Sequence, residues 1–205
     1  MTDKFPDYEI HRQRLMDAFT QSDKIKKITV PKGSTYNLSD EICCIKQGIF
    51  SLYINQGDRL LGCYEGQVII GLTNFYAELI SFNIKPGQTC TLFTLSVEEA
   101  RKIIKAENLS QSVGYILVNN TNAFFQIYEK VISPNNYTFI RLMLMDLNQS
   151  TDAIKASVTV ASYIIKRSGL SRSYVMLVLS ELRKGGYIQM DDGKLTSITS
   201  LPDRF

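Results

Sequence analysis

The sequence predicts an α+β protein in which a small antiparallel β-roll of the jelly-roll kind is followed by a long helix and then by a helix-rich basic module that ends in a hairpin. Three observations carry this prediction. Between about Lys24 and Leu95, short apolar runs alternate with period two and are separated by glycine-containing turns, as in sandwiches and barrels. Residues 113–131 then repeat apolar positions at 4-3-4-3-4 spacing, the period of a helical seam. The whole formal net charge of +3 falls in the last 58 residues, with 8 basic against 5 acidic side chains. Residues 1–110 balance 13 against 13, and residues 111–147 hold two of each.

Composition narrows the function classes first. With 205 residues, 44% hydrophobic and 21% charged, the chain is an ordinary globular one of one or two domains, able to bury a real core. No apolar run approaches the roughly 18 residues that span a bilayer, and the opening MTDKFPDYEIHRQR is too polar for a signal-peptide core. A cytoplasmic protein with no membrane partner is the expectation. The only histidine is His11, so Ser-His-Asp and Cys-His devices and most His-bearing metal sites lack material. Neither a G-x-x-x-x-G-K-[ST] loop nor a G-x-G-x-x-G occurs. An enzyme is therefore not expected, and no catalytic residue, metal or cofactor is assigned.

Tyr8–Thr20 places Ile10, Leu15, Ala18 and Phe19 near one face of a packing helix. The strand runs follow as ITV before Pro31-Lys32-Gly33, EICCI before Gly48, IFSLYI, RLLGCY before Gly66, VIIGL, ELISFNI before Pro86-Gly87, and TCTLFTL. Ser96 can cap the next helix, with Glu99 three residues on able to reach back to the cap's amide, and that helix runs through Ile104. A longer helix carries Val113, Leu117, Asn120, Phe124, Ile127 and Val131, a heptad seam with one polar member that would fix register. Lys and Arg are almost absent from residues 109–140, which favours a parallel dimer seam over a helix packed only on its own roll. Ser133 as cap and Pro134 at the first helical position open another helix to about Leu147, burying a face from Ile140, Leu142, Met143, Leu144 and Leu147. Residues 148–152 then form a loop. The domains predicted are 1–108 for the roll with its flanking helices, 109–132 for the dimerisation helix and 133–205 for the basic module.

In that module a short helix with Val160, Ala161, Ile164 and Ile165 precedes Ser168-Gly169-Leu170, and a second opens at Ser171 with Val175, Val178, Leu179 and Leu182 inward. Helix, glycine turn, helix is the form of a helix-turn-helix. Gly185-Gly186 ends the second helix, and a hairpin turning at Asp192-Gly193 supplies a wing. The partner expected of a basic winged helix-turn-helix is double-stranded DNA. Ser171 would cap the recognition helix and donate to a phosphate, Arg172 would reach guanine O6 and N7, and Ser173 and Tyr174 would touch base or backbone. Lys166, Arg167, Arg183 and Lys184 would meet phosphates. Any contact from Met176 or Leu177 would be apolar.

The order of parts resembles the CRP/FNR superfamily of bacterial transcription regulators over nearly the whole chain. The resemblance rests on Pro31-Lys32-Gly33, ICCIKQGIFSLYI, TLFTLSVEEARKII and Gly169-Leu170-Ser171-Arg172. The segment from Ser171 to Pro202 is most similar to the enterobacterial IprA type, a type named for hydrogen peroxide resistance. Membership implies a cyclic-nucleotide-binding-like roll, a homodimer and a sequence-specific DNA-binding regulator, with RNA polymerase as a further candidate partner. Departures from the family pattern matter too. Cyclic-nucleotide-binding members carry an Arg and a Glu in the phosphate cassette, whereas IIGLTNFYAELISFNI has no Arg and only Glu78, so cAMP is not the expected effector. No cysteine precedes Cys43, so the N-terminal iron-sulfur cluster of other members is not expected either. Leu177 matches the second base-reading Arg of the cAMP-dependent members, so the DNA sequence recognised should differ.

Cys43, Cys44, Cys63 and Cys90 lie in the roll. Adjacent residues of a strand face opposite ways, so Cys43 and Cys44 suit neither one metal nor one disulfide. Buried small hydrophobes are the first reading of these thiols. A peroxide-sensitive thiol is the second, encouraged by the resemblance. The competing overall function is a roll that binds a small ligand or a protein beside a vestigial DNA-binding domain.

Overall fold

The period-two runs become eight strands in two four-stranded antiparallel sheets. The computed structural model describes residues 7–54, 59–75, 81–131 and 135–204, the side chains of Ile127 and residues 129–131 excepted. The strands are β1 (Lys26–Val30), β2 (Tyr36–Leu38), β3 (Glu41–Ile45), β4 (Ile49–Ile54), β5 (Arg59–Glu65), β6 (Val68–Ile70), β7 (Phe82–Pro86) and β8 (Cys90–Ser96). One sheet has the order β1-β8-β3-β6, the other β2-β7-β4-β5. Three-residue β2, with Leu38 as its one buried side chain, is too short to show alternation and has no counterpart among the predicted strands.

The alternation also sets the core. Val30, Leu38, Cys43, Ile45, Phe50, Leu52, Ile84 and Leu92 form one apolar cluster with contributions from both sheets. On the other face of β3, Ile42 and Cys44 join Ile69 and Leu95 in a second cluster, covered by Leu15, Met16 and Phe19 of α1 (Tyr8–Thr20), Ala100 of α2 (Val97–Ala106), and Leu109 with Ile116. A strand buried on both faces reads as a continuous apolar run, which is why EICCI shows no alternation. Ile10, predicted to face inward on α1, is instead 60% exposed. The inward place goes to His11, which shares a 2.9 Å hydrogen bond with Ser112 Oγ and stacks on Tyr115 at 4.0 Å. Ser96 caps α2 as expected, its Oγ accepting from the Glu99 amide; Glu99 turns its carboxylate to Lys102.

Helix α3 spans Ser110–Val131. Its first half lies on the roll, where Ile116 is buried and Val113 and Leu117 are partly buried against the second cluster. Further on, Val118, Phe124, Phe125 and Tyr128 are each more than half exposed, and Asn120 is exposed as well. Of the predicted seam, the side chains of Ile127 and Val131 lie outside the described set.

The chain forms two compact units, residues 1–125 and 126–205. In the second, α4 covers Asn136–Asn148 and is capped by Asn135, whose side chain accepts from the Thr138 amide at 2.8 Å. This corrects the assignment of the cap to Ser133 and of the first helical position to Pro134, two residues that lie outside the described set. A second residue with cap chemistry two places further on competes for the same role, and sequence did not separate the two. Residues 148–152 are not all loop. Thr151 caps a six-residue helix, α5 (Asp152–Ser157), with Ile154 as its one buried residue, too little apolar signal to register as a helix. Leu142 is half-buried while Tyr137 and Phe139 complete the inner face of α4. Helices α6 (Val160–Ser168) and α7 (Arg172–Lys184) and the hairpin β9 (Ile188–Asp191) and β10 (Lys194–Ile198) follow. Asp192 and Gly193 both have positive φ (45° and 74°), as a tight two-residue hairpin turn requires. No described helix is long and apolar enough to cross a membrane.

Candidate nucleic-acid interface

The helix-turn-helix is held by local chemistry at each joint. Gly169 closes α6 in the left-handed region at φ 70°, donating its amide to the Ile165 carbonyl. Ser168 Oγ donates to Ile164 O at 2.7 Å and accepts from the Leu170 amide, stiffening the turn. Ser171 caps α7, its Oγ accepting from the Tyr174 amide at 3.3 Å, which leaves its O–H directed elsewhere. Val175, Val178, Leu179 and Leu182 are buried, so their row anchors α7. The wing is tied back by the Val160 amide, which donates to Gly193 O at 2.8 Å.

Opposite the buried row, at about 100° per residue, Ser173, Leu177, Ser180 and Lys184 fall within about 30° of the outward direction. All four are exposed, as are Ser171 and Arg172 at the helix start, while Tyr174 is half-buried. Met176 and Leu177 are 46% and 56% exposed. Arg172, Met176, Arg183 and Lys184 border a groove of about 690 Å³ that also takes in Thr159 before α6 and Met190 of the wing. Lys184 also pairs with Glu181 at 2.7 Å on the exposed surface. Ser180, Thr159 and Met190 carry no sequence motif of their own, although Ser180 lies seven residues beyond Ser173, a helical spacing that places both on one face.

Arg167 is the correction among the predicted phosphate contacts. Its side chain is only 8% exposed, and Nη1 lies 2.9 Å from Asp146 Oδ2 on α4. Tyr163 Oη donates to the same carboxylate oxygen at 2.6 Å and also contacts Arg167 Nη1. The guanidinium fastens α6 to α4 rather than facing outward. Counting cations along a helix could not show this, because the acid sits 21 residues upstream. Lys166 is half-buried and has partners of its own.

In the roll, Cys43 faces the inter-sheet cluster and Cys44 the helix-covered one, and no disulfide joins any of the four cysteines. Burial pushes the thiols of Cys43 and Cys90 up and that of Cys44 to about 12. Cys63 is half-buried, with Sγ 3.5 Å from Ser51 Oγ. Of the cassette stretch, Leu72–Phe75 forms a short 3-10 turn, and Glu78 lies outside the described residues.

Residues 136–203 match a family model described as winged helix-turn-helix DNA binding. The inhibitor of hydrogen peroxide resistance of Salmonella typhimurium is 31% identical over 163 residues, 78% of each chain. Its namesake in Escherichia coli K12 is 28% identical over 168 residues, 82% of this chain and 81% of that one. Among solved structures, the c-di-GMP-responsive global regulator CLP of Xanthomonas campestris superposes with a TM-score of 0.73 at 15% identity, covering 92% of this chain and 100% of the other. A CRP/FNR-family transcriptional regulator from Thermus thermophilus gives 0.55 at 16% identity, covering 84% and 94%. At such identities the structural likenesses speak for the fold, and the closer sequence relatives for descent. The chain belongs to the family of the inhibitor of hydrogen peroxide resistance, built on the fold of the CRP/FNR transcription regulators with a C-terminal winged helix-turn-helix.

Proposed function

We propose that the protein is a sequence-specific, homodimeric DNA-binding transcription regulator, acting in the cytoplasm and tied to the peroxide response as the names of its relatives indicate. The observation that carries this is the outward face of α7, opening at Ser171-Arg172-Ser173 beside the wing. The N-terminal end of α7 enters the major groove, where its free amides and the Ser171 hydroxyl receive a phosphate. Arg172 donates two guanidinium N–H groups to guanine O6 and N7. Ser173 and Tyr174 contact base edge or backbone, while Lys166, Arg183 and Lys184 neutralise phosphates and set salt dependence.

Residues 1–108 serve as the effector-type domain, 109–132 as the dimerisation helix and 133–205 as the DNA-binding domain. Pairing runs through the exposed apolar side chains of α3, with Phe124 from the predicted seam and Asn120 setting register. Two recognition helices then read half-sites about one helical turn, roughly 10 bp, apart. The roll is not a cAMP receptor, and RNA polymerase is a second partner. Of the four cysteines, Cys63 is the one a peroxide reaches, since Cys43, Cys44 and Cys90 are buried with raised thiols.

Selection of genomic fragments by the purified protein, followed by fluorescence anisotropy at two salt concentrations, tests this reading. Wild type should bind a near-palindrome specifically and Arg172→Ala should not. Equal binding by the two proteins would assign the function to the roll.

A further inference from the structure

The outward row of α7 contains a side chain that phosphate and guanine contacts leave unexplained. Ser173, Leu177, Ser180 and Lys184 make up the centre of that face, and Leu177 is 56% exposed in the middle of it. Met176, beside it, is 46% exposed. Lone exposed apolar residues are ordinary on protein surfaces. Here the two adjoin on the exposed side of α7, and Met176 shares the groove beside the wing with Arg172, Arg183 and Lys184. The inner row of α7 already holds four buried apolar side chains, so packing within the C-terminal unit does not call for these two.

A leucine can neither donate nor accept a hydrogen bond, so it cannot satisfy the polar edges that most base pairs present. In the major groove the one apolar group on any base is the C5-methyl of thymine. Arg172 and Leu177 are five residues apart, about 7.5 Å along the helix axis and about 140° around it, so they would reach different base pairs. We propose that Leu177, supported by Met176, is a specificity-determining residue that reads a thymine methyl in the same half-site as the guanine taken by Arg172. The protein would thus read each half-site through one bidentate hydrogen-bonding contact and one apolar contact. This rests on the DNA-binding reading above.

The test removes the methyl and nothing else. In the selected operator, each thymine is replaced in turn by deoxyuridine, symmetrically in both half-sites, and binding is followed by anisotropy for wild type, Leu177→Ala and Arg172→Ala. At one thymine the replacement should weaken wild type about fourfold for each half-site, the weight of one buried methyl. Leu177→Ala should bind the thymine and deoxyuridine sites equally well. Because Leu177 is exposed, the variant should keep its melting temperature, and the deoxyuridine comparison on wild type needs no variant. Indifference of wild type to every replacement, with binding still lost in Arg172→Ala, would overturn the methyl contact and leave the regulator standing. A deoxyuridine effect of equal size in wild type and Leu177→Ala would hand the methyl to another residue. Absence of any specific site would remove both readings together.

Discussion

The roll and the winged module handle their distinctive side chains in opposite ways. In the roll the reactive types are taken inside: His11 is buried against Ser112 and Tyr115, and Cys43, Cys44 and Cys90 belong to the cores. In the winged module the apolar groups fill the inside, and arginine, serine and even leucine are displayed on α7. The same residue types therefore mean different things in the two units. A buried thiol or imidazole contributes packing and a local hydrogen bond, whereas an exposed leucine on a recognition helix is a surface waiting for an apolar partner. The comparison teaches that candidate chemistry should be weighed by burial before it is weighed by residue type.

The sharpest way to break this contrast is a core truncation. Phe50→Ala, at a fully buried position of the roll, should cost about 4 kcal/mol. Urea unfolding followed by tyrosine emission would show it, since the chain has no tryptophan. A loss below about 1 kcal/mol would mean a roll far looser than its burial indicates.

Next comes the Arg167–Asp146 pair of the winged module. Asp146→Ala leaves Arg167 without its acid and should destabilise the C-terminal unit by about 2–3 kcal/mol, at the low end for a broken pair because Asp146 is a third exposed. Arg167→Met should also unfold more readily yet keep its salt slope for DNA, whereas Arg183→Ala should reduce that slope by about one per chain. An Arg167→Met slope that falls as much as that of Arg183→Ala would return Arg167 to the phosphates.

On α3, Phe124→Asp with Phe125→Asp should convert a dimer to monomers on sizing chromatography, because both rings are more than half exposed on one chain. Dimers that persist would place the interface elsewhere.

Alkaline pH offers a subtler probe. Burial raises Cys44 from 9.0 to about 12, and burial with the Glu41 hydrogen bond raises Tyr36 from 10.0 to about 12. Both groups are acids that the fold keeps neutral, so the unfolded chain ionises first. Their contribution should be complete below about pH 9 and lost progressively as pH climbs towards about 12. A urea midpoint that is flat across this window would contradict the burial.

The smallest effect concerns thiol reactivity. Ellman's reagent at about pH 8 should modify Cys63 ahead of the other three, and Cys63→Ser should remove the fast phase. Equal rates at all four would mean that the roll opens readily.

Much of this molecule is written in short-range signals. The period-two runs, Ser96 and Ser171 as caps, Gly169 at the left-handed helix end and the Asp192-Gly193 turn each depend on residues within about four positions, where backbone geometry fixes the outcome. The heptad spacing likewise marked α3 as one long helix. Short elements escaped, because β2 and α5 each bury a single side chain and show no period. The tertiary structure alone decided which side chains meet across long separations. Arg167 found Asp146, His11 found Ser112, and the first half of α3 took the roll's core while Phe124, Phe125 and Tyr128 further on stayed more than half exposed. Such partners are selected by packing and by the cost of leaving a buried polar group unpaired, and neither quantity has a local signature in the chain.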